Sequence, residues 1–202
     1  NLDNITGKRN EKLMSFLTSS SIKNLLHPFQ TFILGQKIFP IKVALKHKIP
    51  LVFYGDNEAE HGNPIADNAT SLRNKSFHTL KDKDEIYLGG IQYRNLVDKY
   101  KFNPKDLDVF LPPSQKLFDE TNIEVRYLGY YLKWVPQEVF YYSVKNCGFI
   151  PRPFRSAGTY SKYSGIDDKI DDLHFYTTYI KFGIGRATYD VAQELRNGHL
   201  SI

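Results

Sequence analysis

The chain has one cysteine, one methionine and one tryptophan in 202 residues. Cys147 alone excludes an intrachain disulfide and any zinc site built from several cysteines, and it suits the reducing cytoplasm. It precedes Gly148 at an expected helix C-terminus, where the dipole disfavours a thiolate, so a structural role is expected. The six histidines stand at 27, 47, 61, 78, 174 and 199, without metal-ligand spacing. No apolar run approaches the ~18 residues of a membrane span, and no stretch of residues 1–202 reads as a signal peptide. Internal repeats and low-complexity segments are absent. The formal charge is +5 and the pI about 9.1. No run of five like charges occurs, so a basic arm of the nucleic-acid type is missing.

What remains is a globular composition, 41% hydrophobic and 24% charged, enough for one sizeable core. Helices are expected from about Glu11 to Leu26 and from Phe29 to His47, the second kinked or split at Pro40. Leu51-Val-Phe-Tyr54, ending in Gly55, reads as a buried strand of a parallel sheet. A polar loop follows from Asp56 to about Lys83, then a helix from Asp84 to Tyr100. Asn103-Pro104 opens another helix, with asparagine as cap. Glu124 to Leu128 is a second strand, and Pro136 opens a helix that Gly148 closes. Ile166, Ile170, Leu173, Thr177 and Ile180 define one face of a helix whose first turn holds Asp167 and Asp168. A last helix, Arg186 to Arg196, is expected to bury Ala187, Val191 and Leu195. The pattern is α/β with more helix than strand. The chain opens at Asn1 rather than methionine and stops just past Gly198, and is expected to be part of something longer.

Lys181-Phe-Gly-Ile-Gly-Arg-Ala-Thr188 combines two glycines at spacing two with a helix start and Arg186 in its first turn. Unpaired N–H groups and two cations suit a phosphate or another anion; a plain glycine turn between packed helices also accounts for them. Beyond the first strand, Asp56, Glu58 and Glu60 would project to one side if that tail stays extended, beside Asn57. Three close carboxylates need magnesium, an ammonium group or hydroxyl donors; splayed and solvated, they need nothing. Tyr127-Leu-Gly-Tyr130-Tyr131 makes a flat surface suited to a sugar or purine, or to core packing. Gly158-Thr159-Tyr160 offers hydroxyls near a helix start. They join the arginine corner only if the chain reverses to bring them together.

Taken in order, Ile49-Pro-Leu-Val-Phe-Tyr-Gly-Asp-Asn-Glu-Ala-Glu60, Tyr127-Leu-Gly-Tyr-Tyr131, Gly158-Thr-Tyr160 and Lys181–Thr188 resemble the N-acetyl sugar amidotransferases. These are ATP-pyrophosphatase-type (PP-loop) enzymes of flagellin and lipopolysaccharide glycan synthesis, among them those acting on pseudaminic-acid-like nonulosonates. The resemblance implies a parallel PP-loop sheet, here one domain over residues 1–202 that forms the C-terminal part of a longer enzyme, with its first strands elsewhere. It implies conversion of an acetamido group to an acetamidino group by an ATP-dependent cytoplasmic ligase, through an adenylated intermediate. ATP and magnesium would be cofactors and a glutaminase partner would supply ammonia, with neither nucleic acid nor membrane involved. Asp56, Asn57, Glu58 and Glu60 would be catalytic. Tyr130, Tyr131, Thr159 and Tyr160 would bind the sugar, and Lys181, Gly183, Gly185 and Arg186 the anion. The acidic tip and the arginine corner are expected to share one pocket. The family's Ser-Gly-Gly-x-Asp-Ser loop is absent here, and Gly89-Gly90 lacks its flanking residues. His27-Pro-Phe-Gln30 stands where some relatives carry Cys-x-x-Cys, so no metal is assigned there. The chain by itself is expected to be inactive. Rival readings are a tRNA-modifying PP-loop enzyme and a non-catalytic interaction module.

Overall fold

A computed structural model describes residues 3–55, 69–80 and 82–201. They divide into two compact units, the first running to Leu25 and from Phe29 to Lys133, the second comprising Leu26–Pro28 and the residues from Trp134 onward. The described residues are mixed α/β, with eight α-helices and a small parallel two-stranded sheet.

In the first unit, α1 (Glu11–Leu25) starts where Asn10 Oδ1 accepts the Leu13 amide at 3.1 Å, a side-chain cap on an otherwise unpaired donor. Leu13 and Leu17 on its inner face meet Leu88, Leu96, Leu107 and Phe110 in one apolar cluster. The next helix, α2 (Gln30–His47), runs as one helix through Pro40 rather than splitting there. Proline removes one hydrogen bond from the ladder; burial of Ile38, Ile41 and Ala44 around it holds the helix.

Strand β1 (Leu51–Tyr54) is the expected strand. It pairs in parallel with the strand at Glu124–Tyr127, in the register Leu51↔Glu124 to Tyr54↔Tyr127. Val52 and Val125 point into a second cluster with Ile41, Ala44, Phe118 and Ile123. Leu51 and Phe53, 41% and 47% exposed, correct the expectation of a strand buried on both faces. Alternation places them on the side that no second layer covers among the described residues.

The expected helix from Asp84 to Tyr100 is instead a 3-10 turn at Lys83–Glu85, a hairpin of β2 (Tyr87–Leu88) and β3 (Ile91–Gln92), and a short α3 (Tyr93–Asp98). Gly89 and Gly90 between the strands have φ of 61° and 74°. Two successive positive φ values match the right-handed twist of a hairpin and oppose a helix. Asn24 Nδ2 donates to the Gly89 carbonyl and the Gly89 amide to Gln30 Oε1, each at 2.9 Å. A Cβ at position 89 would lie 2.7 Å from the Leu17 carbonyl oxygen. Gly89→Ala is therefore expected to destabilise the first unit by about 2–3 kcal/mol, from left-handed strain plus overlap. A urea midpoint equal to wild type would contradict this.

Helix α4 (Pro104–Leu107) starts at Asn103, as expected, and α5 (Gln115–Asp119) at Ser114, whose hydroxyl accepts the Leu117 amide. Strand β4 (Glu124–Tyr127) follows, and residues 71–73 run antiparallel along it, with the Arg73 amide donating to the Val125 carbonyl at 3.0 Å.

The second unit holds α6 (Pro136–Asn146), α7 (Asp171–Phe182) and α8 (Arg186–Arg196). The first of these matches expectation, with an exposed Cys147 at its end. The helix expected near Ile166 begins at Asp171, so its first-turn acids are Asp171 and Asp172. Of the expected inner face only Thr177 is buried, while Ile166, Leu173 and Ile180 are exposed. In α8 the buried residues are Asp190, Gln193 and Glu194, and the expected Ala187, Val191 and Leu195 are half-buried. Polar partners facing that side of the helix reverse the assignment.

Candidate functional site

In open parallel sheets ligands bind beyond the carboxyl ends of the strands. Here those ends are Tyr54 and Tyr127, opposite one another in register, with rings stacked at 5.5 Å. The Tyr54 hydroxyl donates to the Lys37 carbonyl at 2.6 Å. A cavity of about 740 Å³ opens beside them, lined by Ile33, Lys37, Phe39, Tyr54, Gly55 and Tyr127 among others. Asp56, Asn57, Glu58 and Glu60 lie outside the described residues. Behind Tyr54, the His78 ring lies parallel to it at 6.5 Å. His78 is 1% exposed, and neither ring nitrogen has a hydrogen-bond partner among the described residues. Burial, then the charges of Arg73 and Lys37, pull its pKa down to about 4.

Past β4 the chain makes a 3-10 turn, Leu128–Tyr130. Tyr130 is half-buried. Tyr131 is half-exposed and its ring meets Phe53 edge-on at 5.8 Å. Its hydroxyl lies 2.9 Å from Ser71 Oγ and accepts from Arg126 Nη1 at 2.7 Å. Those bonds, Ser71 first, lower the phenol's pKa, because they favour the charged form.

The second unit brings together the two other predicted segments. Helix α7 ends at Gly183, in the left-handed region with φ 69°, which a Cβ would strain. Two residues on, Gly185 starts α8 without a side-chain cap. Its place is taken by the backbone, since the Ala187 amide donates to the Gly158 carbonyl at 2.9 Å. The chain thus reverses so that Gly158-Thr159-Tyr160 lies against the arginine corner.

Thr159, 3% exposed, donates its hydroxyl to Asp190 Oδ2. The other carboxylate oxygen forms an ion pair with Arg186 Nε at 2.8 Å, within the helix. The Arg186 guanidinium lies 5.3 Å from the Phe175 ring centre and 5.0 Å from that of Tyr189. Its Nη2 reaches Ser164 Oγ at 3.4 Å, and Ser164 in turn contacts Ser161 at 2.8 Å and accepts from Ser156 through its carbonyl. Tyr160 is partly exposed, with its phenol pKa raised, chiefly by burial and then by Glu194 and Asp190. Tyr163 is pushed up to about 12, again first by burial and then by Asp190. Lys181 is exposed, its ammonium 5.1 Å from the Phe182 ring centre.

A cavity of about 380 Å³ opens at this corner, lined by Gly158, Asp172, Phe175, Tyr176, Tyr179 and Arg186, with Ala157 and Gly185. Sequence reasoning missed Asp190, Asp172 and the three aromatics. The signal was present in part. Arg186 and Asp190 have the i, i+4 spacing of a helical ion pair, and Asp172, Tyr176 and Tyr179 follow one another at helical spacing along one side of α7.

Residues 157–201 match a family model described as LPS biosynthesis protein WbpG-like, C-terminal domain. The similarity supports a protein of lipopolysaccharide biosynthesis. The WbpG-like segment contains Thr159, Tyr160, Lys181, Gly183, Gly185 and Arg186, and also every residue of the cavity. Its match supports an enzyme of glycan synthesis. No curated protein matches the chain. No described helix is long and apolar enough to cross a membrane.

Whether this corner suits ATP turns on what grips phosphate. Arg186 is paired with Asp190, the Ala187 amide is taken by a carbonyl, and the sequence holds no Ser-Gly-Gly-x-Asp-Ser loop. These residues do not fit a triphosphate. Among the described residues no cluster of three His, Cys, Asp or Glu could hold a metal ion.

Proposed function

We propose that this chain is part of an ATP-dependent amidotransferase of surface-glycan synthesis, converting an acetamido group of an N-acetyl sugar or nonulosonic acid to an acetamidino group. The observation that carries this reading is the WbpG-like match over the Gly158 and arginine-corner segments, two of the four motifs shared in order with N-acetyl sugar amidotransferases. An amide resists ammonia until its oxygen becomes a leaving group, and ATP with magnesium would supply that activation when bound. The sequence of residues 1–202 has no Ser-Gly-Gly-x-Asp-Ser motif, and nucleotide grip is assigned to another part of the full protein. The second unit is assigned the sugar. Ammonia is assigned to a glutaminase partner.

The test uses the full protein with ATP, magnesium, ammonium and an N-acetylated sugar acid. The expected result is pyrophosphate release dependent on the sugar, and a product in which one amide oxygen is replaced by NH, seen by mass spectrometry. Pyrophosphate release that depends on tRNA and not on sugar would instead assign the chain to nucleobase chemistry.

A further inference from the structure

We infer that the cavity between the Gly158 turn and α7 is a binding site for the uncharged, hydroxyl- and acetamido-bearing face of a sugar ring, rather than for a phosphate or carboxylate. The inference takes its substrate class from the glycan reading above. Its volume, about 380 Å³, is at the small-ligand end of binding pockets.

Charge decides against an anion. Among the described residues the lining holds one cation, Arg186, and Asp190 already neutralises it at 2.8 Å. The other charged lining residue is Asp172, held 3.8 Å from Arg152 and half-exposed. Each charge in the lining thus already has a partner of opposite sign, and neither is left for an incoming anion.

Shape and chemistry favour a sugar. Phe175 has one face occupied by the guanidinium, whereas Tyr176 and Tyr179 are 62% and 54% exposed. An exposed tyrosine face beside a cavity suits the apolar C–H face of a pyranose. Asp172 stands at the N-terminal end of the same helix side and accepts hydrogen bonds from hydroxyls or from the acetamido N–H, the acceptor-only chemistry of a carboxylate. Gly158 and Gly185 complete the lining without side chains of their own. Asp172 and Tyr176 are the specificity-determining residues of this site.

The experiment titrates N-acetylglucosamine into the full protein by ligand-observed NMR, with inorganic pyrophosphate as the anionic competitor. Binding is expected in wild type, about tenfold weaker in both Asp172→Asn and Tyr176→Ala, and unaffected by pyrophosphate. Failure of the sugar to bind, wild-type affinity in either variant, or displacement by pyrophosphate would each overturn the inference. Circular dichroism melts confirm that the variants fold. Should either not fold, Gly185→Ala serves instead. It has an ordinary φ of −83°, and its methyl would stand 3.8 Å from Tyr179, narrowing the cavity and weakening the sugar. Sugar binding without amidination of any N-acetylated substrate would remove the proposed reaction and leave the cavity assignment standing.

Discussion

Asp190→Ala is expected to destabilise the second unit by about 3 kcal/mol, the range for removing one member of a buried ion pair. Asp190 is 4% exposed. One of its oxygens accepts from Thr159 and the other faces Arg186. Deleting the carboxylate leaves the partly exposed guanidinium beside Phe175 and Tyr189 without a counter-charge, and a buried hydroxyl without its acceptor. The cost is therefore set by what the variant strands, more than by the strength of the lost contact. A double-mutant cycle with Arg186→Ala isolates the pair: the double variant should be less damaged than the sum of the single variants. Strict additivity in thermal melts, or an Asp190→Ala protein as stable as wild type, would refute the coupling.

Acid is expected to destabilise the first unit through His78. Its pKa in the folded chain is about 4, below the ordinary 6.5. The folded state holds the ring neutral, while the unfolded chain takes up a proton near pH 6.5. The resulting stability is fully present above 6.5 and is lost as the pH falls from there toward 4, on the order of 3 kcal/mol across that span. Carboxylates titrate in the same range, so the informative quantity is the difference from a variant. His78→Phe keeps an aromatic ring beside Tyr54 and removes the proton site. Urea melts at pH 7 and pH 4.5 should show wild type losing more stability than His78→Phe. Equal losses would show that His78 does not carry the acid sensitivity.

Much of the fold is legible because its elements announce themselves locally. Leu51–Tyr54 and Glu124–Tyr127 are short runs with β-branched or aromatic side chains, each followed closely by glycine. Asn103-Pro104 and Pro136 carry their helix starts in one or two residues. The hairpin at Gly89-Gly90 went unread because the apolar spacing from Ile86 to Val97 also suits a helix, and the paired glycines outweigh it only through their backbone geometry. The inner face of α8 was unreadable for another reason. Asp190 is buried because Thr159, 31 positions earlier, returns to meet it, and no local pattern carries that information. The same holds for the site. Arg186 and its glycines are visible in the sequence, whereas the carboxylate that neutralises it and the tyrosines beside it become a site only when α7 and α8 are folded back on each other.

The Arg186 arrangement has a thermodynamic consequence. A free arginine side chain surrenders about 2 kcal/mol of rotamer entropy when a ligand immobilises it. Here its own helix, two aromatic rings and a serine already fix it before anything arrives. A ligand entering beside it has no arginine rotors to freeze, and more of the contact enthalpy is left as net affinity.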